Sequence, residues 1–474
     1  MSANIGLPQD RFDTELPSET NSHEPDQEPF GTRPYTGETP PHPASTIGIR
    51  DAGVACGSSG AGTGDPDMSR TQVTVTGMGM VSAAGIGVED NWARIRAGQP
   101  AAAPHPALAG HPVDFACGAM DFEPAETLGE RQADNTDRST QMALVAAEEA
   151  LARARLRPAD TDVTRFAVVL GTWAGGTATM ENQQAQLLRH DAAAVAARTM
   201  ITGPLSSSAG ELSIRFGLQG PVMTIATACA SGTSAIGIAR DLIRAGIVDV
   251  ALAGGTDASI TPLQVAGFFR LGALSRRTHD PLGASRPFAA SRDGLVFGEG
   301  AGILVLENDA HARARGAPRL ADVAGYSATS DAYHMLRPDP AGAGARRAIR
   351  AALADADIGK NDVDYVNAHG TSTRRNDEVE CKAISAGLGD TVAVSSTKGV
   401  TGHTFGAAGA LEAAYSILAL TESVIPPTAN LIDPDPDITV DLVAGTARHQ
   451  PVQAVLSNSF GFGGLNASLV LTRP

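Results

Sequence analysis

From about residue 71 the chain alternates two kinds of apolar pattern. Short runs rich in β-branched and apolar residues, "QVTVTGMGMV", "TRFAVVLGT", "VDVALAGGTD" and "AGILVLEND", read as strands. "VMTIATA" is apolar almost throughout and predicts a buried strand. Between these runs the apolar spacing changes to three and four. Residues 139–156, "STQMALVAAEEALARARL", predict an amphipathic helix, and "SAIGIARDLIRAG" predicts a second, with Gly246 as its stop. Strands separated by helices predict an α/β fold with a largely parallel sheet covered by helices.

The rhythm then repeats. "RLADVAGYSATSD" (319–331) is similar to the opening strand, and "AGAGARRAIRAALADADI" reads as a surface helix. "VDYVNAHGT" reads as strand then loop. "TGHTFGAAGALEAAYSILAL" is a small-residue-rich helix that mirrors the one following Cys229, and "AVLSNSFGFGGLNASLVLT" closes the chain with a turn and a strand. The repeat predicts an internal duplication, with halves at 70–318 and 319–474. Two related halves with small-residue helices suggest one fused five-layered αβαβα core. Residues 1–69 show no apolar period and are rich in Pro, Gly, Ser, Thr and acid. Such a segment buries too little surface to offset its ordering entropy, so it is expected to be disordered, with the folded part opening near Met68.

Charge narrows the partners. The net charge is −16; residues 1–70 hold 11 acidic and 4 basic residues, so −7 lies there and −9 in the remainder. A chain this acidic has no bulk field to attract nucleic acid or anionic lipid. There is no apolar run of membrane-spanning length and no signal-peptide pattern, so a cytoplasmic protein is expected. The four cysteines, Cys56, Cys117, Cys229 and Cys381, are far apart and form no CxxC pair. Neither a disulfide framework nor a metal site is expected.

Cys229 stands out by its place. It ends "PVMTIAT" and precedes "ASGTS", then a helix. A lone buried cysteine is ordinarily a small hydrophobe. At a strand-to-helix turn, however, the helix N-terminus favours thiolate and is expected to lower the thiol pKa, and its N–H groups suit an oxyanion. Two histidines supply possible partners. His369 follows "VDYVNA" at the strand end where α/β sheets build sites, and His403 precedes a helix, five residues after Lys398. "GMGMVS" (77–82) lacks the third glycine of a dinucleotide loop. "SRRTHD" (275–280) is a basic patch on an acidic chain; with Arg270, residues Arg276 and Arg277 are either a docking surface for an acidic partner or a solvated loop.

Four segments, "TACASG", "NAHGTST", "KGVTGHTFGAAG" and "NSFGFGGLNAS", occur in that order within residues 71–472. Together they resemble the β-ketoacyl-acyl carrier protein synthases, both the long-chain condensing enzymes of type II fatty acid synthesis and the ketosynthases of bacterial type II polyketide systems. The resemblance implies a thiolase fold and an acyltransferase. It implies that Cys229 accepts an acyl group from a carrier phosphopantetheine thioester, with backbone N–H groups of Cys229 and Phe462 as oxyanion hole. His369 and His403 would hydrogen-bond the malonyl thioester oxygen. Lys398, paired with Glu412, would order that cluster electrostatically. Thr371 and Thr373 resemble pantetheine-binding residues, Phe462 a gate and Phe460 its support. No bound cofactor is implied. Acyl carrier protein is the implied partner, in a homodimer or a heterodimer with a chain-length subunit. "HGTSTRRNDEVE", with Arg374, Arg375 and Asn376, looks more like the polyketide branch. His403 stands where a thiolase would hold a second cysteine, and the Cys-His-His set differs from the Cys-His-Asn of starter enzymes. The retained Cys229 argues against a non-catalytic chain-length subunit.

Overall fold

The computed structural model describes residues 71–474; the expectation of disorder over 1–69 lies outside the described residues. Ten strands and six helices frame the site. The first five strands are β1 (Val73–Ser82), β2 (Phe166–Gly171), β3 (Val222–Ile225), β4 (Val250–Asp257) and β5 (Gly300–Asn308). The second five are β6 (Ala321–Ser330), β7 (Tyr365–Asn367), β8 (Ala393–Ser395), β9 (Ala454–Gly461) and β10 (Leu465–Thr472). The helices are α1 (Arg138–Arg153), α2 (Ser207–Phe216), α3 (Ser231–Arg244), α4 (Ala343–Ala356), α5 (Arg374–Leu388) and α6 (Ala408–Glu422).

Across the sheet the first set runs β3-β2-β4-β5-β1 and the second β8-β7-β9-β10-β6. These are one order, third-second-fourth-fifth-first, written twice. The strand senses repeat as well: β2 is parallel to β3 and β4, while β5 is antiparallel to β4 and β1. Likewise β7 is parallel to β8 and β9, while β10 is antiparallel to β9 and β6. The sets meet at two residue pairs between β1 and β6, Thr74 with Asp322 and Val75 with Ala321. This is the duplicated thiolase-like α/β fold.

Three expectations are corrected. The sheet is mixed rather than largely parallel, because the fifth strand of each half returns without a crossover helix on the sheet. β3 is an edge strand, partly exposed along its length, because nothing in the described residues lies beyond it. The chain closes with a hairpin, β9 to β10, rather than a turn and one strand.

The layers follow from side-chain pattern. α1 packs on β1 and β5, and α4 on β6 and β10, each burying one face. α3 and α6 lie between the two strand sets and touch each other. In α6 every residue from Ala408 to Leu420 is buried, so its uniform apolarity reflects a helix covered on all sides. Leu411, Ile417 and Leu420 each contribute about 1.5–3 kcal/mol by burial. α3 stops as expected: Gly246 takes φ 67° and its N–H bonds the carbonyl of Ile243.

Candidate functional site

The two central helices deliver the chemistry, and the duplication makes their starts equivalent. Each begins with a one-turn 3₁₀ segment, Ala228–Ala230 before α3 and Phe405–Ala407 before α6. The first residue of each segment has positive φ, 50° at Ala228 and 48° at Phe405. Such a conformation costs a side-chain-bearing residue about 1–3 kcal/mol and persists only where its surroundings enforce it. Cys229 sits on the first elbow; His403 lies two residues before the second.

The thiol and both imidazoles converge. Cys229 Sγ lies 3.0 Å from His403 Nε2, and one donor atom from each of Cys229, His369 and His403 falls within 4.8 Å of the others. The imidazole planes are nearly perpendicular, at 84°, with centroids 5.3 Å apart. All three residues are buried. Lys398 Nζ is 3.4 Å from His369 Nδ1 and forms a buried ion pair with Glu412. A thiol and two imidazoles are also a possible metal-ligand set, but the Lys398 ammonium beside them disfavours a cation.

The hydrogen bonds assign the tautomers. The Phe405 backbone N–H donates to His403 Nδ1 at 3.4 Å, so the ring proton is on Nε2, facing Cys229. At His369 the ammonium occupies Nδ1, which leaves Nε2 as the donor. Burial and the Lys398 charge hold both imidazoles well below the usual histidine range, so both are neutral. Cys229 corrects an expectation: its pKa is not lowered but pushed up to about 12. Burial outweighs the backbone N–H groups of Phe462 and Cys229 and the Lys398 charge, all of which favour thiolate.

A cleft of about 450 Å³ leads to the thiol. Thr371, Thr373, Phe460 and Phe462 line it, and the Thr371 and Thr373 hydroxyls are 2.9 Å apart. Phe462 lies in the β9–β10 turn, 5.7 Å from the Phe268 ring. The basic patch falls elsewhere. Arg270 is exposed, Arg276 lies over the Phe269 ring, and Arg277 is paired with Asp280; none of the three lines the cleft. Arg337, Arg374 and Arg375 line it instead.

Two carboxylates escaped the sequence reading. Glu380 on α5 accepts the N–H groups of His369 and Gly370, both at 2.7 Å, and burial pushes its carboxyl up to about 7. Asp257, at the end of β4, is likewise pushed up to about 6. The only hint in the sequence was an acid closing an apolar strand, "VALAGGTD".

Comparison with known proteins agrees with this geometry. Residues 70–312 match the model for the β-ketoacyl synthase N-terminal domain, and residues 320–432 that for its C-terminal domain. The chain is 39% identical over 402 residues to 3-oxoacyl-[acyl-carrier-protein] synthase 2 of Coxiella burnetii, covering 84% of this chain and 97% of that one. It is 40% identical over 409 residues to the tetracenomycin polyketide synthase ketoacyl synthase alpha subunit of Streptomyces glaucescens, covering 84% and 96%. Among solved structures, the ishigamide ketosynthase/chain length factor aligns with TM-score 0.81 and 36% identity, over 86% of this chain and all of that one. A type II polyketide ketosynthase bound to a hexaketide, in complex with its acyl-carrier protein, aligns with TM-score 0.79 and 33% identity over 86% and 100%. With both domain models matched across most of the described residues, the chain belongs to the β-ketoacyl synthase family.

Proposed function

We propose that this β-ketoacyl-acyl carrier protein synthase works through Cys229, His369 and His403 in two half-reactions. In the first, Cys229 Sγ attacks the thioester of an acyl group on a carrier phosphopantetheine. The S–C bond to the carrier breaks, the carrier thiol leaves with the cysteine proton, and the acyl group stays on Cys229. The N–H groups of Cys229 and Phe462 receive the oxyanion of that step. They already face the sulphur and favour its thiolate, which is the charge that must form at a thiol otherwise held protonated.

In the second, a malonyl carrier thioester enters. Its carboxylate leaves as carbon dioxide, and the electron pair moves onto the thioester as an enolate. The Nε2–H groups of His369 and His403 receive that oxygen. Neutral donors suit this task, since neither gives up its proton in the step. The enolate carbon attacks the acyl-cysteine carbonyl, the S–C bond breaks, and the departing Cys229 thiolate takes a proton from solvent. The β-ketoacyl product remains on the carrier. Lys398, held by Glu412, keeps Nδ1 of His369 as the acceptor. Thr371 and Thr373 hold the pantetheine arm, with Phe462 as the gate and Phe460 beside it.

The observation that carries this reading is the buried convergence of Cys229, His369 and His403 at the foot of the cleft. Arg337, Arg374 and Arg375 at the cleft receive the acidic carrier in preference to Arg270, Arg276 and Arg277. Dimerisation uses the open edge of β3. Val222 on that edge and Ile214 on the neighbouring α2 are exposed apolar side chains, as are Leu188, Met200 and Ile201 in the same half. Solved neighbours include ketosynthase/chain length factor pairs, and this chain takes such a partner or a second copy of itself. We place the halves at 70–318 and 319–474 and the reaction in the cytoplasm; no helix among the described residues is long and apolar enough to cross a membrane.

The test is intact mass after incubation with a panel of acyl carrier thioesters, beside Cys229→Ala. The expected result is a gain of one acyl group that Cys229→Ala abolishes. A gain that survives the substitution overturns the assignment.

A further inference from the structure

We propose that Asp257 is a positioning residue for the condensation step, fixing the aim of His403 through Gly406 and Phe405. The inference rests on the half-reactions assigned above. Asp257 is fully buried, and its carboxylate receives four donors from two segments far apart in sequence. Oδ1 accepts the Thr172 hydroxyl at 2.8 Å and the Ala174 N–H at 3.0 Å. Oδ2 accepts the Trp173 N–H at 2.8 Å and the Gly406 N–H at 2.6 Å. The loop after β2 is thereby clamped onto the elbow that opens α6.

Phe405 is the residue caught in this clamp. It is a bulky side chain at φ 48°, a backbone state that needs external enforcement. Its N–H makes the bond to His403 Nδ1 that assigns the tautomer. Its ring stacks on the His403 imidazole, with centroids 4.6 Å apart at 25°, and on Trp173, 4.7 Å apart at 25°. Asp257 therefore holds the backbone N–H of Trp173, at one end of this stack, and of Gly406, next to its middle ring, while touching no reacting atom. Gly406 is required by the same contact: a Cβ there would collide with Asp257 Oδ2 and the Trp173 nitrogen. A carboxylate fits because it only accepts, and four donors face it. An amide would turn its own N–H groups against two of them.

The role separates the two half-reactions, because His403 serves the enolate while the acyl-transfer oxyanion rests on backbone N–H groups. The experiment compares the full chain with Asp257→Asn and Thr172→Val. Three readouts are taken: acylation of Cys229 by intact mass, carbon dioxide release from a malonyl carrier thioester, and the ¹⁵N signals of labelled histidine. In Asp257→Asn, acylation is expected within about 3-fold of the parent, while decarboxylation falls roughly 10- to 100-fold. The His403 signals should move from a pure Nε2–H tautomer toward a mixture. Thr172→Val, which removes one donor of four at nearly constant shape, should lower decarboxylation about 3-fold with acylation unchanged. Equal losses in both half-reactions, no loss in decarboxylation, or an unmoved His403 tautomer overturns the proposal. If Asp257→Asn does not fold, Thr172→Val decides by the same criteria. A parent chain that is never acylated would overturn the functional reading instead, and the nitrogen signals would still decide the role of Asp257.

Discussion

On the proposed mechanism, replacing His403 or His369 with alanine removes one donor from the enolate without removing the nucleophile. The two imidazole planes are nearly perpendicular, with centroids 5.3 Å apart, and the proposed mechanism has both Nε2–H groups meet one oxygen. Loss of a single donor of this kind in a buried site costs about 2.7–4 kcal/mol, or roughly 10²–10³ in rate. The double variant should fall less than the product of the two, since the donors share one oxygen. The assay is carbon dioxide release from a malonyl carrier thioester, with Cys229 acylation followed by mass in parallel. The pH dependence sharpens it. Both imidazoles are held neutral well below the usual histidine range, so neither should titrate between pH 6 and 7. Decarboxylation should accordingly show no histidine-dependent inflection there. An inflection near 6.5 in the parent that vanishes in His403→Ala would mean that a charged imidazole takes part. Acylation falling as steeply as decarboxylation in both variants would refute the division of labour.

Glu412→Ala strands the buried Lys398 ammonium and should destabilise the chain by about 3–5 kcal/mol, read by chemical denaturation; Glu412→Gln should cost less, because a hydrogen-bond acceptor remains. The Cys229 pKa of about 12 predicts slow alkylation by iodoacetamide at neutral pH, rising about tenfold per pH unit toward alkaline values; a plateau near pH 7 would show a preformed thiolate. Arg374→Ala with Arg375→Ala should raise KM for a carrier-borne thioester and weaken its salt dependence. The same change should leave turnover of a free pantetheine thioester within about 2-fold, and equal effects on both would remove these arginines from carrier docking.

Much of this site could be read from local sequence, for a physical reason. A nucleophile at a strand-to-helix turn and histidines in strand-end loops are local arrangements, so apolar pattern and turn residues placed Cys229, His369 and His403 on the right elements. The repeated strand rhythm likewise foretold the duplication that makes the starts of α3 and α6 equivalent. Strand sense and edge position were not local. "VMTIATA" looked buried because apolarity does not distinguish a core strand from one that awaits a partner, and β3 proved to be the edge. The thiol pKa was misjudged because a helix N-terminus is visible in sequence whereas burial is not, and burial dominates. Asp257 and Glu380 drew no notice for the same reason. Gly406 lies 149 residues from Asp257, and only the packed core brings such a donor to its carboxylate; the donors to Glu380, on His369 and Gly370, are 11 and 10 residues away, and there it is burial that the sequence does not show. The sequence alone thus determined on which elements the proposed reacting groups stand. The tertiary structure decided their charge states, their tautomers and what holds them in place, because those depend on desolvation and on contacts made across the chain.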